Sequence, residues 1–261
     1  MSAYEQFYTF AVVYTKLLAG GYMHTNGTWQ YILTNPIAES HIVQVCQNET
    51  FRENIVTNYI KDGLLNDEAV IVVAGPTLRK AVISKLDAQN FDVQNLKNQG
   101  QIKFLDAEFL LSSFLIDGVL EEQSFQQSIE VPIQAARVEY GKVRIFGEMV
   151  DVLWKKAQYD AAIQLENLWS NLSKKQEFLF LCTYSLDSID SSTYDESLER
   201  ICSYHTHLIP VENYGLIETG VGEAVLDVFG DAWNRVIGKL AESRKISTQL
   251  PASPTSPTAL N

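Results

Sequence analysis

From residue 41 onward, short apolar runs alternate with longer stretches in which apolar positions recur at three and four. The runs fall at 42–46, 69–74, 102–105, 143–146, 178–184 and, more weakly, 207–209. Runs of this length rich in Val, Ile and Phe predict β-strands. The stretches between them, near 50–64, 77–89, 107–117, 122–140, 155–175 and 193–204, predict helices. In the clearest of these, Ala161, Leu165, Leu168, Trp169 and Leu172 share one face. A run such as Ala69-Val-Ile-Val-Val-Ala74 is apolar throughout. It therefore predicts a strand buried on both sides. The expected fold is α/β in three layers, a mostly parallel sheet with helices on both faces.

Two further amphipathic helices flank this core. Phe7, Phe10, Ala11, Tyr14, Leu17 and Leu18 stand at helical spacing before Gly20-Gly21, within an N-terminal segment 1–37 of helix and loop. Val221, Val225, Val228, Phe229, Ala232, Trp233, Val236 and Leu240 repeat the pattern within 213–246. Residues 247–261 hold three prolines and no charged side chain, and read as a disordered tail. The core domain is expected over 38–212.

Composition narrows the function classes. The 261 residues carry a net charge of −12, and no Lys/Arg cluster exceeds the pairs Lys155-Lys156 and Lys174-Lys175. Direct nucleic-acid binding needs a cationic footprint, which is missing here. No run approaches the length of a membrane span, and the N-terminus lacks a basic region before its apolar stretch. Cys46, Cys182 and Cys202 are odd in number and widely spaced, with Cys46 and Cys182 in apolar runs. Such usage suits a reducing, cytoplasmic setting.

In open parallel sheets the ligand crevice lies at the carboxyl ends of the strands. Those ends carry Gly75-Pro76-Thr77, Asp106-Ala107-Glu108, Gly147-Glu148-Met149 and Thr183-Tyr184-Ser185. A phosphate-binding loop would need a second glycine followed by Lys and Ser/Thr. The sequence Gly75-Pro-Thr-Leu-Arg-Lys80 is too short for one, and Pro76 removes a donor. Thr77 either starts the next helix or meets a phosphate at its N-terminus. Asp106, Glu108 and Glu148 form an acidic cluster for metal or acid/base work, or else cap helices. Arg144, inside an apolar strand, must snorkel or pair with an acid such as Glu148 or Glu166. Glu166 itself interrupts an apolar helix face. Cys202 and His205 share a face at i,i+3, but the sequence supplies no second ligand pair to complete a metal site. The aromatics Phe146, Trp154, Trp169, Phe180 and Tyr184 suit a core as well as a pocket.

These pieces, taken in order, resemble the MEDS domain, the sensory module of methanogen and methylotroph regulators. The resemblance is carried by His41-Ile-Val-Gln44, Ile60-Lys-Asp-Gly-Leu64, Glu68-Ala-Val-Ile-Val-Val-Ala74 and Gly100-Gln-Ile-Lys-Phe-Leu-Asp106. It continues through Val143-Arg-Ile-Phe-Gly-Glu-Met149, Trp154, Leu165-Glu-Asn-Leu-Trp169, Leu181-Cys-Thr-Tyr184 and Cys202-Ser-Tyr-His-Thr-His-Leu-Ile-Pro210. It spans 41–212 and implies kinship with RecA/KaiC-like ATPases that have lost the phosphate loop. It also implies a non-catalytic sensory role without a cofactor, with a small ligand such as a hydrocarbon derivative. The ligand-site candidates are His41, Thr77, Asp106, Arg144, Glu148, Glu166, Tyr184 and His205. Relay would run to a protein partner, a kinase or regulator, or to a second subunit of a homodimer. The competing expectations are a divergent nucleotide-binding protein and a pure interaction module.

Overall fold

The computed structural model describes residues 40–46, 48–185 and 195–209. The flanking helices expected in 1–37 and 213–246, and the tail 247–261, lie outside the described residues. Eight strands occur among those described: β1 (His41–Cys46), β2 (Ala69–Ala74), β3 (Ile102–Asp106), β4 (Leu115–Ile116), β5 (Val119–Leu120), β6 (Val143–Gly147), β7 (Leu179–Ser185) and β8 (His207–Ile209). Six of them form one sheet in the order β3-β2-β6-β7-β1-β8, with every pairing parallel. The two-residue strands β4 and β5 make a separate hairpin.

The helices are α1 (Glu49–Leu65), α2 (Pro76–Asp87), α3 (Val93–Asn98), α4 (Ala107–Phe114), α5 (Glu122–Phe125), α6 (Val131–Tyr140), α7 (Met149–Lys155), α8 (Tyr159–Lys175) and α9 (Asp195–Tyr204). A π-helical turn, Gln126–Glu130, joins α5 to α6. Local chemistry sets several of the starts. Asn48, Asp92 and Asp106 each accept a backbone N–H three residues on, at 2.9 Å, and so cap α1, α3 and α4.

Strand order fixes the layers. From β1 through β2 to β3 the chain moves toward one edge; from β3 through β6 and β7 to β8 it moves back. Right-handed crossovers then place α1 to α3 on one face and α4 to α9 on the other. Strands β1, β2, β6 and β7 are buried at every position, as expected of strands covered on both faces. The architecture is the three-layer α/β fold expected from the pattern.

The details differ where backbone reversals are local. The helix predicted over 107–117 stops at Phe114, because Asp117 and Gly118 adopt φ +51° and +79° and turn the chain into the β4–β5 hairpin. The helix predicted over 155–175 runs from Tyr159 to Lys175, and Lys155 ends the preceding helix α7. Ala157, at φ +56°, ends the turn after α7, and α8 starts afresh at Tyr159. Helices α3 and α7 had no separate signature in the periodicity.

Arg144 has a different partner from those expected. Its Nε donates to Glu68 Oε2 at 2.7 Å and its Nη1 to the Tyr59 carbonyl at 3.0 Å. The guanidinium also lies 4.8 Å from the Tyr59 ring centroid. Arg144 aligns with Val70 and Leu179 on the α1 face, whereas Glu166 reaches the opposite face from α8. Side chains alternate along a strand, so no Arg144–Glu166 bridge can form. Glu148, the other expected partner, binds Arg52 instead. Gly63 makes room for this arrangement, since a Cβ there would stand 3.0 Å from Arg144 Cδ and Nε.

Removing one member of a buried pair leaves the other charge uncompensated. Arg144→Ala is expected to lower unfolding free energy by about 3–5 kcal/mol in urea titration. Arg144→Met together with Glu68→Gln should lose distinctly less, because neither substitution leaves a charge buried.

Candidate functional site

The carboxyl rim is polar, but its charges are already engaged. Arg52, on the first turn of α1, donates from Nη1 to Asp151 at 2.7 Å and forms an ion pair through Nη2 with Glu148 at 2.8 Å. The second Glu148 oxygen accepts the Gly75 N–H at 2.6 Å. That carboxylate thus sits at the N-terminus of α2, where a phosphate would have to bind. Asp151 also accepts the Ser185 N–H at 3.1 Å, tying α7 to the end of β7. Asp106 caps α4 and pairs with Arg79, and Glu108 pairs with Lys156. Thr77 is exposed in the first turn of α2. Asp106, Glu108 and Glu148 therefore do not converge as one acidic cluster; each has its own cation.

A second group of polar residues lies beneath α8 and α9, inside the core. His41 opens β1, Cys182 and Tyr184 follow on β7, Glu166 descends from α8, and His205 sits between α9 and β8. The parallel register sets His41 opposite Phe180 and Val43 opposite Cys182, so all point to the α8 face. Each of the five is buried, with 5% exposure at most. His41 Nε2 stands 3.5 Å from Glu166 Oε2 and 3.5 Å from Cys182 Sγ. His205 Nε2 stands 3.6 Å from Glu166 Oε1, which accepts the Tyr184 hydroxyl at 2.9 Å.

Backbone carbonyls decide the tautomers. His41 Nδ1 lies 3.0 Å from the Tyr204 carbonyl, and His205 Nδ1 lies 2.9 Å from that of Ile201. A carbonyl can only accept, so both Nδ1 atoms carry the proton and both Nε2 lone pairs face inward. Thr206 holds the junction to β1 through the His41 N–H at 3.0 Å and the His41 carbonyl at 2.9 Å. The His41 ring stacks on Phe180 at 4.7 Å and lies 4.0 Å from the His205 ring. Gly147 lets Phe180 reach that place, since a Cβ there would come within 2.8 Å of its ring.

Burial also sets the charges. It pushes the Glu166 carboxyl up to about 8 against the pull of the Tyr184 hydrogen bond. It brings His205 down to about 4 and His41 well below its ordinary value, His41 further because His205 is beside it. The Cys182 thiol is driven well up. At neutral pH the group is an uncharged set of donors, although its spacing is that of ion pairs. Two atoms, Glu166 Oε2 and His205 Nε2, are buried with no hydrogen-bond partner.

Of the residues named from sequence, His41, Glu166, Tyr184 and His205 come together here. Thr77, Asp106 and Glu148 lie on the rim, and Arg144 is on the other face of the sheet. In sequence Cys182 reads only as a small hydrophobe, and nothing there singles out Arg52 or Asp151. The usable signal for Cys182 was its place two residues before Tyr184, on the same face of one strand. The expected Cys202–His205 face does not supply this set: His205 joins His41, Glu166 and Cys182 instead.

A family model described as the MEthanogen/methylotroph, DcmR Sensory domain matches residues 40–205. The chain belongs to the MEDS family. The match takes in His41, Glu166, Cys182 and His205. No curated protein matches the sequence. MEDS is a sensory domain family, and among the described residues no helix is long and apolar enough to cross a membrane.

Glu166 binds more protons folded than unfolded between its ordinary 4.5 and about 8, so stability falls as pH rises through that range. The lowered histidines bind fewer between about 4 and 6.5, so there stability rises with pH. His41, His205 and His207 together outweigh the one carboxyl below 6.5. Ion-free protein should therefore be most stable near pH 6.5 and lose stability from there to pH 8. Chemical denaturation across this range should show the alkaline decline vanish in Glu166→Gln.

Proposed function

We propose that this MEDS domain is a non-catalytic sensor whose input is read by the buried cluster of His41, Glu166, Cys182, Tyr184 and His205. The observation that carries this reading is the pair of buried, unpartnered atoms, Glu166 Oε2 and His205 Nε2. Each unsatisfied buried polar group costs about 1–3 kcal/mol. A ligand that engages both recovers that cost, which gives the site a reason to respond.

The connectivity supplies an output. His205 links α9 to β8, a strand of three residues that, among the described residues, pairs only with β1 and lies at the edge of the sheet. Engagement of His205 bears directly on the weakest attachment in the sheet, and the chain runs from β8 into the segment 210–261. Relay to a kinase, a regulator or a second subunit would leave by that route. A small hydrocarbon derivative is the ligand class that the family suggests. The rim is the poorer candidate for nucleotide, because Glu148 already occupies the helix N-terminus at Gly75.

The test is thermal unfolding of the full chain with short-chain halogenated and hydroxylated hydrocarbons, and separately with ATP and Mg²⁺. A ligand at a hundred times its Kd adds about 2.7 kcal/mol of stability. The expected result is a rise with an organic compound that Glu166→Gln abolishes, with slower amide exchange in β8. A rise with ATP and Mg²⁺ alone would replace this reading with a nucleotide-binding one.

A further inference from the structure

We propose that His41, Glu166, Cys182 and His205 constitute a buried, four-coordinate site for a divalent transition metal ion of the zinc type. The inference deepens the sensory reading, since it concerns the same cluster and names what the cluster holds.

The donor set is two imidazole nitrogens, one thiolate sulfur and one carboxylate oxygen, the types that zinc and its neighbours select. Magnesium and calcium require mostly oxygen ligands and do not fit. The four ligand atoms all lie within 4.8 Å of one another. With metal–ligand bonds of about 2.0–2.3 Å, a tetrahedron has edges of about 3.3–3.8 Å. Two separations, from His41 Nε2 to Glu166 Oε2 and to Cys182 Sγ, are both 3.5 Å and already match such edges. The spacing of the donors suits an ion.

The surroundings are those of a prepared site. Metal-binding histidines characteristically give their other N–H to a carbonyl or carboxylate, which fixes the ring and its tautomer. Both histidines do so here, His41 to Tyr204 and His205 to Ile201. Tyr184 holds the Glu166 carboxylate at 2.9 Å in the same supporting role. The unpartnered Glu166 Oε2 and His205 Nε2 are two of the atoms that would turn to the ion.

Charge closes as well. Binding replaces the proton on the Cys182 thiol and the proton on the Glu166 carboxyl, releasing two protons to solvent. One dication with one thiolate and one carboxylate is neutral, which suits a site with no access to water. The four ligands come from β1, α8, β7 and the α9–β8 junction, so the ion would pin the edge strand to the centre of the sheet. Occupancy would then set the order of β8 and of whatever that strand hands on.

The experiment uses the full chain. Metal content is measured after purification and after reconstitution with Zn²⁺, and Co²⁺ replaces Zn²⁺ as a spectroscopic probe. The expected result is one ion per chain, a thiolate-to-cobalt charge-transfer band, and a melting point lowered by chelation. Cys182→Ser should abolish the band, and Glu166→Gln should weaken Co²⁺ binding by about 100-fold or more, beyond the 10–100-fold typical of supporting residues. Cys202→Ser should leave both band and stoichiometry intact. Should a ligand variant fail to fold, the wild-type cobalt spectrum and its affinity, rising with pH for up to two protons, still decide the matter. No stoichiometric uptake by the wild type, or a band lost in Cys202→Ser and kept in Cys182→Ser, overturns the assignment. If the wild type takes up no ion yet still melts higher with an organic ligand, the metal assignment fails and the sensory reading stands.

Discussion

Covering a parallel sheet on both faces forces every polar side chain in its central strands to find a partner from the one layer it faces. In this protein the period-two alternation of β1, β6 and β7 sorts the buried polar residues into two compartments that cannot mix. Arg144 faces α1 and is met by Glu68 and the Tyr59 carbonyl. His41, Cys182 and Tyr184 face α8 and α9, and are met by Glu166 and His205. The placement of the helices, and hence of the partners, follows from the reversal of strand order at β3.

The two compartments hold their titratable groups differently. On the α1 face a guanidinium meets a carboxylate with good geometry, and a glycine clears the space they need. That is a structural pair, and its strength lies in what would be left behind if one half were removed. On the α8 face burial has discharged both histidines and the carboxyl, so proximity yields little attraction. Two imidazole lone pairs converge there on a protonated carboxyl and a thiol. A core selected only for stability would fill such a place with apolar side chains. The presence of four ligand-type groups is the reason to look for function there and not on the rim, where Arg52, Arg79 and Lys156 already neutralise the acids.

The edge strand gives the cluster its reach. β8 is held by three register positions to β1 and by Thr206 bridging back to His41. Such a short edge element opens at a lower free energy than the central strands. His205 therefore stands directly before one of the less firmly held strands of the sheet, at the end of the described residues.

Fold class was readable in the sequence because burial leaves a direct trace: unbroken apolar runs for two-sided strands, and a three-and-four rhythm for helices. All six strands of the main sheet were visible in this way. Breaks at Asp117-Gly118 and Ala157 were not, since they depend on single backbone conformations. Most of the candidate site could be named, for Glu166 announced itself by interrupting an apolar helix face, Tyr184 by its place at a strand end, and His41 and His205 by their chemistry. Which residues meet could not be named. His41 and His205 are separated by most of the domain, and only strand order brings β1 between β7 and β8. Arg144 and Glu166 looked like natural partners in one dimension. The sheet, by turning alternate residues to opposite faces, put a layer of backbone between them.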